Sequence, residues 1–272
     1  MVTSIAALVA IAGYLLAAFL VYRDLGLKSR LARRPNWQIT MTIALALVCH
    51  ASVLFPIIDQ TPGPNLALGS TVSMVAFVVV LVFLFSAGQQ PILALALILL
   101  PTAAVTVALG ALFPGDDYQP QIIGALSIGH SLIGAFAYAF LTLAVAQALL
   151  AQLQESLLKQ SALHDLVRAL PAVEIMERVL FQLITIGFAL LSITLLSGML
   201  FSDQLSGHAF VLNHHVVLAF LAWGSFAILL TGRVIAGWRG QVAVKWTLGS
   251  FVLLLLAYFG TRFVIEVLLT TP

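Results

Sequence analysis

The fold class that the sequence predicts is all-α: a polytopic membrane protein with eight transmembrane helices and both termini on the non-cytoplasmic side. Three observations predict it. Hydrophobic residues make up 62% of the 272 residues and charged residues only 8%, whereas soluble domains carry about 25% charged residues. The apolar residues are gathered into runs of about 20, the length that crosses a bilayer. The basic residues are confined to alternate connections between these runs, as the positive-inside rule requires.

Eight apolar runs are long enough to cross the hydrocarbon core. Proline, glycine and polar residues separate them, as at 88–91 and 114–117. The first run has no basic region before it and no clear cleavage site, so we interpret it as a retained helix and not a signal peptide. The fifth run continues as an amphipathic helix toward Lys159. We predict a single integral membrane domain, 1–272, with spans at about 3–22, 38–57, 68–87, 91–113, 122–148, 176–200, 214–236 and 246–268.

The basic residues also predict the orientation. All twelve lysines and arginines except Arg262 lie in or beside the connections after the first, fifth and seventh spans. The opposite connections, near Asp59, Asp116 and Asp203, contain none. Positively charged connections remain in the cytoplasm. The sequence therefore predicts a bacterial inner-membrane protein with both termini in the periplasm.

Several functions are excluded or disfavoured by what the sequence lacks. The net charge of +2 and the scattered basic residues do not indicate a nucleic-acid partner. The single cysteine, Cys49, lies in an apolar run, and no C-x-x-C or C-x-x-C-H motif is present. No Walker-type loop and no nucleophile–base arrangement is evident. We therefore predict neither an ATPase nor any other enzyme, and the expected surroundings are the lipid bilayer.

Charged side chains in the last span form one candidate site. Arg262 and Glu266 are four residues apart, so they share a helix face and can pair. Charges at membrane depth usually face the bundle interior or a water-filled cavity. One interpretation is an anchor for an anionic group such as a carboxylate or propionate. The other is an ion pair near the outer interface that fixes the last helix.

Histidines form the second candidate site. His50 in the second span and His130 in the fifth both lie roughly 10–12 Å below the outer surface, at about 1.5 Å per residue. Two histidines at equal depth can coordinate one metal centre, and imidazole is a common axial ligand of haem iron. Alternatively, each hydrogen-bonds a carbonyl or a serine inside the bundle. Spacing alone does not separate haem from zinc or a proton relay. His214 and His215 open the seventh span from outside.

Several segments resemble the cytochrome c assembly proteins, the CcsA/CcmC-type haem-handling membrane proteins. The resemblance covers most of the chain, is greatest to the YpjD/HemX-like branch of small eight-span inner-membrane proteins, and is strongest from about 125 to 265. The segments are Leu170–Arg178 running into Ile186–Gly198, His130-Ser131 with Ala137-Tyr138, Ala222-Trp223-Gly224 through Gly232-Arg233, Gly237–Gly240 and Ala257–Gly260.

The resemblance implies an intramembrane site for haem b. His130 matches the histidine-bearing helix of the family, and His50 the histidine of the first half. His214 or His215 is a candidate outer ligand, and the alternative is simple placement at the membrane interface. Trp223 belongs to the closing part of the domain, and Arg262 with Glu266 becomes a candidate partner of the propionates. The Trp-rich motif of the family's outer loop is absent from 201–215, so presentation of haem to apocytochrome c is not implied.

Three functions follow from these observations. The first is a protein that binds or transfers haem in the membrane during cytochrome biogenesis, together with other membrane assembly proteins. The second is a permease-like subunit that works with a separate ATPase, for which 151–175 is the candidate coupling segment. The third is a non-catalytic accessory protein of a membrane complex, whose histidines are hydrogen-bonding core residues.

Overall fold

Eight long helices make up the described part of the chain, which in the computed structural model comprises residues 2–27, 35–58, 67–112, 125–159, 170–202 and 213–260. Together with two short segments that extend α4 and α8, each is long and apolar enough to cross a membrane, which confirms the predicted number. The helices are α1 (Val2–Leu27), α2 (Trp37–Ile58), α3 (Leu68–Ala87), α4 (Ala96–Leu112, after the 3-10 turn Leu93–Leu95), α5 (Ala125–Lys159), α6 (Val173–Leu200), α7 (His214–Ile235) and α8 (Gln241–Leu255, continued by the π-helix Leu256–Gly260).

The helix boundaries differ from the predicted spans mainly at helix starts. Residues 88–92 form a turn before the fourth span, which the prediction started at 91. The eighth helix begins at Gln241, five residues before the predicted start, while the predicted end, 261–268, lies outside the described residues. Hydropathy locates the lipid-facing part of a helix, but a helix begins where its backbone hydrogen bonds begin. The predicted continuation of the fifth span is confirmed, because α5 runs unbroken to Lys159.

The helices pack as two four-helix groups. In the first group α1 packs against α2, α2 against α3, α3 against α4, and α4 back against α1. The second group repeats the same closed order with α5, α6, α7 and α8. Helices α3 and α5 join the two groups. The chain therefore places the predicted ligands His50 and His130 in different groups, on α2 and α5.

The contact between α5 and α6 follows one antiparallel register. Gly187 faces Leu141, Thr194 faces Gly134, and Gly198 faces His130. Gly187 and Thr194 are seven residues apart on α6, and their partners Leu141 and Gly134 are seven apart on α5. Likewise, Thr194 and Gly198 are four residues apart on α6, and Gly134 and His130 are four apart on α5. Small residues at such spacing allow the two backbones to approach closely, as is common between membrane helices. This register brings His130 to the end of α6.

One end of the second group lies near Lys159, Val173 and Gln241, and we call it the basic end. A network of polar contacts holds the helices together there. Glu177 Oε1 on α6 accepts a hydrogen bond from the Gly240 N–H at 2.7 Å. Gln241 Nε2 donates to Glu155 on α5 at 2.9 Å. Arg233 donates to the Trp238 carbonyl. The turn between α7 and α8 is thereby fastened to both α5 and α6.

Replacing Glu177 with leucine is expected to loosen this turn. The loss of a hydrogen bond to a charged acceptor costs about 1.5 kcal/mol, which corresponds to about tenfold more local opening. The measurement is the rate of trypsin cleavage after the exposed Arg239 in detergent, followed by mass spectrometry. Glu177→Gln keeps an acceptor oxygen, and Glu174→Leu changes an exposed glutamate on the same helix. Equal cleavage rates in all three variants would contradict the role of Glu177.

Candidate functional site

His50 lies in the core of the first four-helix group. Its side chain is 0% exposed. Its Nδ1 is 3.0 Å from the Tyr14 hydroxyl on α1, and its Nε2 is 2.9 Å from Ser73 Oγ on α3. The rings of Tyr14 and Phe77 meet the imidazole edge-on, at centroid distances of 5.9 and 5.5 Å. One buried histidine therefore links three helices.

Both ring nitrogens of His50 have partners. A neutral imidazole has one donor and one acceptor nitrogen, and either hydroxyl can serve either role. Tyr14 can donate to Nδ1 while Nε2–H donates to Ser73, or both bonds can be reversed. In neither arrangement does a ring nitrogen keep a lone pair for a metal. Iron ligation by His50 therefore requires one of these hydrogen bonds to break.

Replacing Tyr14 with phenylalanine is expected to destabilise the first group by about 1 kcal/mol, the typical contribution of a hydrogen bond between membrane helices. The change removes the partner of His50 Nδ1 and nothing else. The measurement is the free energy of unfolding in mixed micelles. Tyr22→Phe is the matched control, since Tyr22 lies on the same helix and is 56% exposed. Equal stability of the two variants would show that the Tyr14–His50 bond contributes nothing.

His130 lies in a different environment. It is half-buried on the second turn of α5, and its Nδ1 is 2.8 Å from Ser197 Oγ near the end of α6. The backbone of Gly198 lies close to the ring, since a Cβ there would be 3.4 Å from His130 Cε1. Within the described part of the chain, Nε2 has no hydrogen-bond partner. His130 therefore offers a nitrogen for a ligand, whereas His50 does not.

The two histidines make their hydrogen bonds in different helix groups. His50 makes its hydrogen bonds within the first group and His130 within the second. Among the described residues, no group of three or more His, Cys, Asp or Glu side chains is arranged to hold a metal ion. An iron shared by His50 and His130 stays a prediction.

Trp223 fixes α7 against α6. Its indole Nε1 donates to Ser192 Oγ at 2.8 Å, and its ring stacks on Phe188 with 5.6 Å between centroids. It is half-buried. Buried or half-buried tryptophans usually find a partner for the N–H, and here both the ring and the N–H are engaged within the protein. A role of Trp223 in contact with haem stays a prediction.

The remaining predicted site residues are the two histidines of α7 and the pair Arg262 and Glu266. His214 and His215 are exposed on the first turn of α7, at the same end of the second group as His130. We call this the histidine end; it is formed by the starts of α5 and α7 and the end of α6. Arg262 and Glu266 lie outside the described residues.

A tyrosine cluster deeper in the second group was missed at the sequence level. The Tyr138 hydroxyl on α5 donates to the Leu254 carbonyl at 2.6 Å, and its ring meets those of Tyr258 and Phe259. The two aromatic residues lie in the π-helix Leu256–Gly260. π-helical turns are rare and occur frequently at functional sites. The sequence contains one indication of this cluster: Tyr138 follows His130 by eight residues, which places both near one face of α5.

The architecture and the histidine end define an integral membrane protein with a histidine in a membrane-spanning helix whose Nε2 has no partner among the described residues. Residues 37–269 match the family model described as cytochrome C assembly protein, and the chain therefore belongs to the cytochrome c assembly protein family. The match begins at the first residue of α2. It does not include α1, the helix that contributes Tyr14 to the His50 network.

Three relatives illustrate the similarity. The Inner membrane protein YpjD of Escherichia coli K12 is 29% identical over 254 residues, which cover 92% of this chain and 95% of that protein. Protein HemX of Brevibacillus brevis is 24% identical over 54% of each chain. The Cytochrome c biogenesis protein CcsA of Cyanophora paradoxa is 29% identical over 32% of this chain and 27% of that protein. The protein is accordingly an integral protein of the bacterial inner membrane.

Proposed function

We propose that the protein binds haem within the membrane and handles it during the biogenesis of cytochromes. One observation carries the proposal: His130 engages Nδ1 with Ser197 and leaves Nε2 without a partner among the described residues. Metal-ligating histidines have this arrangement, since the second nitrogen is usually held by a hydrogen bond. Haem, if bound, would supply the iron, and His130 would be the residue that holds it through Nε2.

The surroundings of His130 leave its ring accessible to a ligand. Gly198 puts backbone instead of a side chain next to the ring, since a Cβ there would lie 3.4 Å from His130 Cε1. The first two turns of α5 and the last turn of α6 are mostly half-buried or exposed, so the histidine end can be reached from outside the four-helix group. The half-buried imidazole of His130 is accessible to a ligand from outside the bundle, whereas the fully buried imidazole of His50 is not. His130 is therefore our principal candidate ligand.

The second ligand and the contacts to the propionates remain part of the proposal. His214 and His215 are candidates for an outer ligand, because they lie at the histidine end. Arg262 is the candidate cation for a propionate, with Glu266 as its partner on the same helix face. We further propose that the basic end faces the cytoplasm, so that the histidine end and both termini face the periplasm.

Absorption spectroscopy of the purified protein tests the proposal. The protein would be produced with haem supplied, and its oxidised and dithionite-reduced spectra recorded together with a pyridine haemochrome assay. We expect a Soret band and haem b at about one equivalent. Absence of haem would overturn the proposal and leave two functions: co-purification of an ATPase would favour the permease-like subunit, and its absence the accessory protein.

A further inference from the structure

Ser197 makes two hydrogen-bonding contacts with only one hydroxyl hydrogen. Its Oγ lies 2.9 Å from the Thr194 carbonyl and 2.8 Å from His130 Nδ1. A carbonyl oxygen can only accept, so the contact with Thr194 requires the serine to donate. The serine hydrogen is then used, and the contact with His130 needs a hydrogen from the imidazole.

This count fixes the position of the proton on His130. With the hydrogen on Nδ1, both contacts of Ser197 are hydrogen bonds and Nε2 keeps its lone pair. With the hydrogen on Nε2, Ser197 has to donate to Nδ1. Its oxygen and the Thr194 carbonyl then face each other at 2.9 Å without a hydrogen between them, which is unfavourable because both oxygens are acceptors. The Nδ1–H tautomer is the one that satisfies every contact.

The close register of α5 and α6 keeps the imidazole and the serine together. Gly198, the neighbour of Ser197, lies against His130 Cε1, and Thr194 lies against Gly134 one turn deeper. The Thr194 hydroxyl is itself bonded to the Leu190 carbonyl at 2.9 Å. His130 therefore meets a fixed acceptor on a rigid helix, and a chain of hydrogen bonds strengthens each of its members.

We infer that Ser197 is a positioning residue that holds His130 as the Nδ1–H tautomer and thereby presents the Nε2 lone pair to a metal. The part of this inference that concerns iron rests on the proposed function. A hydrogen bond from Nδ1–H raises the basicity of the ligating nitrogen. Ser197 therefore strengthens the bond that His130 makes to iron and favours the oxidised state.

Nitrogen NMR tests the tautomer without any haem. The haem-free protein would be labelled with ¹⁵N-histidine in micelles, and the His130 signals assigned by their loss in His130→Ala. We expect Nδ1 to be protonated and Nε2 unprotonated in the wild type, and a shift toward the Nε2–H form in Ser197→Ala. Ser192→Ala is the matched control, because Ser192 also bonds a carbonyl on α6 but contacts Trp223 instead of His130.

Haem titration tests the consequence for iron. Loss of such a hydrogen-bond partner typically weakens metal binding by about 10–100-fold. We expect this loss and a higher midpoint potential in Ser197→Ala, and recovery of both in Ser197→Thr, which keeps the hydroxyl. Ser192→Ala should bind haem with the affinity and midpoint potential of the wild type.

The outcomes distinguish the tautomer inference from the proposed function. A wild-type His130 with its hydrogen on Nε2 would overturn the inference, whether or not haem binds. The Nδ1–H tautomer in a protein that takes up no haem would overturn the proposed function and leave the tautomer assignment standing. Equal haem affinity and potential in wild type and Ser197→Ala would overturn the role of Ser197 toward iron.

Discussion

Replacing Gly187 with leucine is expected to separate α5 from α6 and prevent normal folding of the second four-helix group. Even a Cβ at this position would lie 2.7 Å from Leu141 Cγ and 3.3 Å from the Leu141 backbone nitrogen. Leu141 is 0% exposed and cannot move aside. Overpacking of this kind costs about 1–3 kcal/mol for small additions. We expect Gly187→Ala to lose stability in that range, and Gly187→Leu to lose more.

Unfolding in mixed micelles and the monodispersity of the purified protein measure this effect. Gly224 on α7 and Gly249 on α8 provide matched controls, because a Cβ on either would meet nothing within 4 Å. Alanine at these positions is expected to be neutral or slightly stabilising, since it favours a helix by about 1 kcal/mol over glycine. If the Gly187 variants proved as stable as the Gly224 variants, the close contact between α5 and α6 would be wrong.

Replacing His130 with alanine is expected to abolish haem binding, whereas replacing His50 with glutamine is expected to leave it. Nε2 of His130 has no partner in the part of the chain that the structure describes, whereas both nitrogens of His50 are used by Tyr14 and Ser73. The loss in His130→Ala should exceed the about 10–100-fold typical of a missing hydrogen-bond partner of a ligand. Glutamine at position 50 keeps a polar side chain for Tyr14 or Ser73.

Soret absorbance per protein and a haem titration measure this contrast, with thermal unfolding as the check on folding. We expect His50→Gln to lower stability but to keep haem affinity within about twofold of the wild type, a change well below the tenfold that corresponds to about 1.4 kcal/mol. Loss of haem in a folded His50→Gln variant would favour the iron shared by His50 and His130. Retention of haem by a folded His130→Ala variant would exclude His130 as a required ligand.

The sequence by itself determined the class of protein, the number of helices and the family. Long apolar runs show that the helix surfaces face lipid. Lipid permits few structures other than helices, because every backbone polar group has to be satisfied within the protein. The continuation of α5 to Lys159 was also predicted, because its glutamines mark the point where one face leaves the apolar surroundings. The start of α8 at Gln241 was missed, since Gln241 and Lys245 interrupt the apolar run there and hydropathy does not register backbone hydrogen bonds.

The tertiary structure decided which side chains meet. Similar depth in the membrane suggested that His50 and His130 act together. Depth alone, however, does not determine how far apart two residues lie in the plane of the membrane. The packing order of the helices places His50 between Tyr14 and Ser73, and His130 beside Ser197, at sequence separations of 36, 23 and 67 residues. Periodicity in one helix shows which residues share a face, but not which helix that face meets or in what register. Those contacts decide whether a histidine nitrogen is used within the core or free for a ligand.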